Sequence, residues 1–196
     1  MSPNPTSWPW HRTLFLLLAL ILACNQTIPT SPQPTETQIL LGQVTEQDLA
    51  RARSFGEELP DPEAWETNIS ITENRIAATW THTAKSIVVY LDRRIYAEPY
   101  TEDTVARYYS RKNFREALLR DYEDVRLLGQ CKRSKAKLRL YEFSAHVWER
   151  EYLVRYWVHF VDDTRIEDVV LAFPKDDKDT GEAIAQALFP TLPHCR

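Results

Sequence analysis

The sequence contains little glycine and no glycine-rich phosphate-binding motif. Its four glycines are scattered over 196 residues, whereas a loop that holds nucleotide phosphates needs several glycines close together. The net charge of −4 also lacks the positive excess of nucleic-acid-binding domains. We therefore expect no cofactor and no nucleic-acid partner.

Long apolar runs are also missing. The longest, Leu14 to Ala23, has ten residues, which as an α-helix would reach ~15 Å, about half the ~30 Å hydrocarbon core of a bilayer. It has the length of the apolar region of a signal peptide, and Arg12 precedes it. We therefore predict a cleaved leader rather than a transmembrane helix.

The leader ends in Ile21-Leu22-Ala23-Cys24, which resembles the lipobox of bacterial lipoproteins. In that family the leader is cut off before the cysteine, whose thiol and new amino terminus are acylated. The resemblance implies a signal peptide over residues 1–23, lipidation at Cys24, and an extracytoplasmic protein anchored to the cell membrane or outer membrane. A plain secretory signal with an incidental cysteine is the alternative.

The chain after Cys24 divides into a tether and one domain. Residues 24–37 include "TIPTSPQPTET", which is rich in Pro and Thr and has almost nothing to bury, so it is typical of an extended linker. No second change of composition follows. We expect a single domain over residues 38–196, which is large enough to bury a core of its own.

Only three cysteines are present. If Cys24 carries lipid, Cys131 and Cys195 remain as an even pair in an oxidising compartment. We predict a disulfide between them that ties the carboxyl-terminal segment to a central strand, with two buried free thiols as the alternative. Closing a loop of about 65 residues would stabilise the fold by roughly 4 kcal/mol in the chain-entropy model.

Hydrophobic periodicity predicts a mixed α and β domain. A helix is expected from Thr45 to about Phe55, a helical segment over residues 101–122 and a last helix from Thr180 to Phe189. The residue alternation predicts seven strands near 65–72, 76–80, 86–92, 125–132, 137–148, 152–162 and 165–173. This order predicts an α+β fold, with a largely antiparallel sheet of about six or seven strands covered by helices on at least one face.

The element order, a long aromatic hairpin "LRLYEFSAHVWEREYLVRYWVHFVDD" and a terminal helix resemble the PsbP-like family. That family takes its name from the extrinsic lumenal subunit of photosystem II and includes bacterial extracytoplasmic proteins. The cone-shaped nuclear-transport-factor-like fold is the runner-up. Neither resemblance implies a function, because no functional motif accompanies the fold.

The hairpin carries the best candidate site. Apolar residues predict a register in which Glu142 faces His159, Ser144 faces Trp157 and His146 faces Arg155 on one side of the sheet. Weak catalytic candidates are Glu142, Ser144, His146 and His159, since a carboxylate beside an imidazole can serve proton transfer. Arg155 and Trp157 are candidates for binding a partner, and a satisfied ion pair beneath a helix is the structural alternative.

The basic run "KRSKAKLR" offers a second binding candidate. Its cations Lys132, Arg133, Lys135 and Lys137 should point outward from a hairpin turn. They could contact anionic lipid headgroups or an acidic envelope protein, or form an ordinary solvated turn. Histidines 82, 146 and 159 lie in no short-range ligand spacing, so no metal site is predicted.

The sequence therefore favours an envelope lipoprotein whose domain is a non-catalytic binding or accessory module. Its expected partners are the membrane, through the lipid, and an unknown envelope protein or lipid. The alternative is a tethered hydrolase that uses the Glu142, His146 and His159 face of the hairpin.

Overall fold

A computed structural model describes residues 42–101 and 122–195 of the chain. The described residues, from Gly42 onward, belong to one compact unit. Lipidation at Cys24, the tether and the helical segment predicted over residues 101–122 fall essentially outside the described residues. No helix in the described ranges is long and apolar enough to cross a membrane.

Helix α1 spans Glu46–Glu57 and begins one residue after the predicted start, Thr45, which is its N-cap. Thr45 and Asp48 form a capping box: the Thr45 Oγ1 accepts from the Asp48 N–H at 3.3 Å, and Asp48 Oδ2 accepts from the Thr45 N–H at 3.0 Å. This exchange satisfies backbone groups that a helix start leaves without partners. The second described helix, α2, spans Lys178–Leu188.

Seven strands form one antiparallel sheet, as the sequence predicted in coarse outline. Their spatial order is β1-β2-β3-β7-β6-β5-β4. Two meanders, β1–β3 and β4–β7, therefore meet where β3 pairs with β7. The strands are β1 Glu66–Thr72, β2 Arg75–His82, β3 Ile87–Ile95, β4 Glu123–Arg133, β5 Leu138–Val147, β6 Arg150–Phe160 and β7 Arg165–Pro174.

Both helices pack on the same face of the sheet. Phe55 of α1 and Ile184 of α2 join Leu91, Trp157 and Phe173 of the strands in one buried cluster. A second cluster, which includes Phe143, Tyr156 and Val158, lies on the opposite face. Because successive strand residues point to opposite sides, β5 and β6 contribute to both clusters.

Strand β1 is more exposed than its alternation predicted. All seven of its residues are exposed, and only Trp65, just before the strand, is buried. The prediction of a half-buried strand is therefore wrong. The reason is position in the sheet: β1 is an edge strand, and α1 packs over β2 instead.

The predicted hairpin register is also wrong, although the assignment of residues to faces is right. Val147 pairs with Arg150, so the turn has two residues, Trp148 and Glu149, where the predicted register had a longer loop. The two registers differ by four positions. An even shift exchanges partners while it leaves each side chain on the same face.

The predicted pair Cys131–Cys195 is at disulfide geometry, with Cα atoms 5.7 Å apart. Cys131 lies on β4, an edge strand rather than the expected central one. The closing segment crosses the sheet at Gly129, where an added Cβ would lie 3.2 Å from the Cβ of Cys195. A side chain at Gly129 would therefore crowd the tail that the disulfide holds.

We expect the Cys131→Ser, Cys195→Ser double variant to lose about 4 kcal/mol of unfolding free energy, because the long loop is no longer closed in the unfolded chain. Urea unfolding of the variant and of the oxidised wild type measures this difference. Intact mass before and after reduction gives an independent check. Equal masses in the two states, which would mean two free thiols, would contradict the pairing.

Candidate functional site

The hairpin face predicted to hold the site lies beneath helix α2 and is largely buried. Trp157 has no exposed surface: its ring stacks on Phe189 with centroids 4.6 Å apart, and its Nε1 donates to the Leu192 carbonyl at 2.8 Å. A buried indole with a satisfied N–H is a core residue. The interpretation of Trp157 as a partner-binding residue is therefore wrong.

Arg155 is likewise committed to the interior. It is buried, and its Nε donates to Glu142 Oε1 at 3.1 Å while Nη2 donates to Glu182 of α2. Its guanidinium carbon also lies 5.6 Å from the centre of the Phe173 ring. Arg155 thus ties β5, β6 and α2 together, which matches the ion pair beneath a helix and not a partner-binding residue.

Glu142 completes this interior network. Its second oxygen, Oε2, accepts from the backbone N–H of Cys195 at 3.1 Å. The carboxylate therefore holds both Arg155 and the segment that carries the disulfide. With both oxygens used in this way, Glu142 has a structural role. It does not form the predicted proton-transfer pair with His159, since Glu142 pairs with Arg155 and His159 with Leu138.

The remaining catalytic candidates do not converge. Ser144 pairs with Leu153 and His146 with Glu151, whereas His159 pairs with Leu138. Eight strand positions separate Leu138 from His146, which is ~26 Å at the usual rise per residue. A hydrolase needs nucleophile, base and oxyanion donors around one reacting atom. The predicted pairs Glu142–His159, Ser144–Trp157 and His146–Arg155 are absent.

A different cluster of charges lies on the same face of the sheet, at β3 and β7, and we call it the Arg93 cluster. Arg93 is buried on β3; its Nε donates to Asp48 Oδ1 at 2.9 Å and its Nη1 to Glu167 Oε2 at 2.7 Å. Arg51 and Arg165 extend it: Arg51 Nη2 donates to Glu167 at 3.4 Å and Arg165 Nε to Asp48 at 3.0 Å. The cluster joins α1 to β3 and β7.

Both buried carboxyl groups of the Arg93 cluster are held in the ionised form. Burial alone would raise the pKa of Asp48, but hydrogen bonds from Thr45 and Arg93 outweigh it and lower that pKa to about 2. For Glu167, burial is outweighed by the neighbouring His159 imidazole and by positive charge, so its pKa also lies below its usual range. The positive charge comes from Arg51 and Arg93.

A shallow cleft of about 200 Å³ opens at the Arg93 cluster. Its lining consists of Gln47, Arg51, Arg93, His159, Val161 and Glu167. The cleft offers no hydroxyl or thiol nucleophile, and His159 Nδ1 lies 4.0 Å from Glu167 Oε1. The guanidinium groups that line the cleft already have carboxylate partners, so the cleft is a poor anion site. The ion pairs at its base hold α1 on the sheet.

The basic turn is the one predicted binding candidate that remains open to solvent. Lys132, Arg133, Lys135 and Lys137 are all exposed around a 3₁₀ turn, Ser134–Ala136, between β4 and β5. No carboxylate in the described ranges lies within salt-bridge distance of these four side chains, a group that we call the basic tip. The basic tip therefore presents four solvent-exposed cations within a short segment.

Sequence reasoning missed two features. The Arg93 cluster could have been found, since Arg93 falls in phase with Val89 and Leu91 on a strand whose inward positions are apolar. Trp148 is 74% exposed and has a positive φ of 61° in the β5–β6 turn. Its exposure depends on the two-residue turn, which the predicted register did not contain.

Within residues 42–101 and 122–195, no group of three or more histidine, cysteine, aspartate or glutamate side chains is placed to hold a metal ion. His82 lies against Trp65, with ring centroids 5.2 Å apart. His146 and His159 belong to opposite ends of the hairpin.

The ionised state of Asp48 should make stability depend on pH at the acid end. A carboxyl group with a pKa of about 2 in the folded state and about 3.8 in the unfolded chain contributes about 2 kcal/mol that is fully present above pH ~4 and lost as the pH falls towards 2. The Asp48→Asn variant should be less stable by about that amount at pH 7. It should also show a shallower loss between pH 4 and 2.

Urea unfolding of wild type and variant across this pH range measures the effect. Asp179→Asn, which changes an exposed carboxylate on α2, is the matched control and should alter stability at pH 7 by less than about 0.5 kcal/mol. Parallel pH profiles for wild type and Asp48→Asn would contradict the structural role given to the Asp48 charge.

Comparisons with known proteins assign no family to this arrangement. No family model matches the sequence, and no curated protein matches it either.

Proposed function

We propose that this chain is a membrane-anchored extracytoplasmic lipoprotein whose domain is a non-catalytic binding module. The observation that carries the proposal is the basic tip, in which four exposed cations lie within six consecutive residues. Elsewhere in the described domain, many arginines, such as Arg75, Arg93 and Arg155, are paired with carboxylates. The contrast supports an external anionic partner for the basic tip.

We further propose that this partner is the anionic headgroup layer of the membrane. A specific protein interface usually has a buried centre with aromatic or other large anchoring side chains. The basic tip has only Ser134 and Ala136 between its cations, and the exposed Trp148 lies at the opposite end of β5. Cations without an apolar anchor are suited to headgroups, where each contributes about 1 kcal/mol near an anionic surface.

The proposed lipid at Cys24 holds the domain, and with it the basic tip, close to a membrane surface. About 17 residues separate Cys24 from the first described residue, Gly42, and an extended chain of that length spans at most ~60 Å. This reach allows the domain to approach the surface that holds its anchor. An acyl anchor combined with a basic patch also binds membranes more stably than a single acyl chain.

The tethered-hydrolase alternative has no comparable support. Its residues are spread along the hairpin, and Glu142 is used to hold Arg155 and Cys195. For the fold, we propose a relationship to the PsbP-like family. It is supported by the order of three strands, four strands and a final helix, and by the long β5–β6 hairpin.

Replacement of the lipobox cysteine tests the anchor. We expect Cys24→Ser to release the chain from the membrane fraction or to leave it as the unprocessed precursor, because no thiol remains to receive lipid. Fractionation and intact mass distinguish these outcomes. The control is Cys131→Ser, Cys195→Ser, which should stay membrane-bound. Full membrane retention of a processed Cys24→Ser chain would contradict lipidation.

Neutralisation of the basic tip tests the membrane contact. The chain from residue 39 onward, with Lys132, Arg133, Lys135 and Lys137 all changed to Gln, should bind phosphatidylglycerol vesicles about 10³-fold more weakly at low salt than wild type, from about 1 kcal/mol per cation. Vesicle co-sedimentation measures this. Wild-type binding should also fall as ionic strength rises.

A second variant controls for net charge. Arg53→Gln, Arg126→Gln, Lys175→Gln, Lys178→Gln removes four exposed cations elsewhere in the domain and should weaken vesicle binding far less. Equal binding of wild type to phosphatidylglycerol and phosphatidylcholine vesicles would contradict the contact. A comparable loss in both variants would assign the attraction to total charge instead of the basic tip.

A further inference from the structure

The two edges of the sheet differ in how they are protected against pairing with another strand. Strand β4 has register shifts between Glu123 and Arg126 and between Leu127 and Gly129, and it carries Lys132 and Arg133 at its end. Bulges and positive side chains are devices that prevent edge-to-edge association. The disulfide at Cys131 also holds the closing segment against this strand.

Strand β1, at the other edge, has none of these devices. It pairs with β2 over seven consecutive positions without a register shift, and its segment Glu66–Thr72 contains no proline, lysine or arginine. Every second residue of an edge strand directs its N–H and C=O groups outward. Ile69 and Ile71 add apolar side chains that are 39% and 53% exposed.

We propose that β1 is the dimer interface of this protein, where it pairs antiparallel with β1 of a second copy. Pairing across a two-fold axis at Ile69 sets Ile69 against itself and Thr67 against Ile71 of the second copy. These side chains all lie on the helix side of the sheet, because β1 pairs Ile69 with Ala78 and Ile71 with Ile76. The two copies bring four isoleucine side chains together on that side.

The composition of β1 suits pairing with itself. In this register Asn68 faces Ser70, Glu66 faces Thr72, and no two like charges stand opposite each other. Like charges directly opposite would destabilise an antiparallel pair. A two-fold contact is also closed, since it uses the same surface on both copies.

The blocked β4 edge further favours a second copy in this arrangement. Addition of β1 to β4 of another molecule would repeat without closure and produce fibres, and the register shifts and charges of β4 oppose it. Pairing of β1 with β1 instead joins two seven-stranded sheets into one continuous sheet whose outer edges are both β4. The exposed isoleucines are thereby covered without an open edge that can propagate.

Cysteine cross-linking tests the two-fold axis. In the full-length Cys24→Ser chain, purified in mild detergent, Ile69→Cys should form a covalent dimer under mild oxidation, because self-paired residues lie ~5 Å apart. Ile71→Cys alone should not, since its two copies would be separated by ~14 Å, about four residues along the strand. The double variant Thr67→Cys, Ile71→Cys should cross-link again.

Exposure provides the matched control. Random collisions would favour the more exposed positions, in the order Leu128 at 58%, Ile71 at 53% and Ile69 at 39%, so Leu128→Cys on β4 should cross-link most. Two-fold pairing at Ile69 predicts the reverse: among these three single variants, only Ile69→Cys should form a dimer rapidly. Cross-linking in the order of exposure, or none at position 69 in a chain that keeps its wild-type circular dichroism spectrum, would overturn it. This result is independent of the lipid and headgroup proposals.

Discussion

The ion pair between Arg93 and Glu167 joins the two halves of this structure. Among the described strands, the meanders β1–β3 and β4–β7 are hydrogen-bonded to each other through β3 and β7, and Arg93 is the direct cross-strand partner of Glu167 in that pairing. Both side chains are buried, so removal of either would leave an uncompensated charge in the interior, typically at a cost of about 3–5 kcal/mol. A shifted register would separate the pair, which gives the seam between the meanders one favoured alignment. Because Asp48 also binds Arg93, the same interaction places α1 on the sheet.

A second buried network holds α2 on the sheet, as the Arg93 cluster holds α1. Arg155 links the hairpin to Glu182 of the helix, and Glu142 passes the connection on to the backbone of Cys195. Together with the disulfide, it secures the last segment of the chain. Glu142 and Arg155, which the sequence suggested as catalytic and binding residues, thus hold α2 and the closing segment on the sheet. The cations of the basic tip have no such carboxylate partner among the described residues, and their side chains extend into solvent.

The element order was predictable because it depends on local periodicity. The alternation in β5, β6 and β7 and the capping residues Thr45 and Asp48 are properties of neighbouring residues, and they agree with the observed strands and with the start of α1. The hairpin register was not predictable in the same way. Registers that differ by an even number of positions keep every side chain on its face, so the apolar pattern cannot distinguish them. The outcome depended on whether Trp148 and Glu149 alone could form the turn, and this requires a positive φ at a tryptophan.

The sequence by itself determined the candidate lipobox, the strand and helix order, the outward position of the basic run, and the pairing expected of Cys131 with Cys195. Each follows from a short motif, from the alternation of neighbours or from counting. Tertiary structure alone decided that Arg155 and Trp157 are interior residues, that β1 is an uncovered edge, and that Arg93, Glu167 and Asp48 meet. These outcomes depend on which strands become neighbours and where the helices lie over them. Long-range packing sets both, because the free energy of burying a charge or an isoleucine depends on partners distant in the chain.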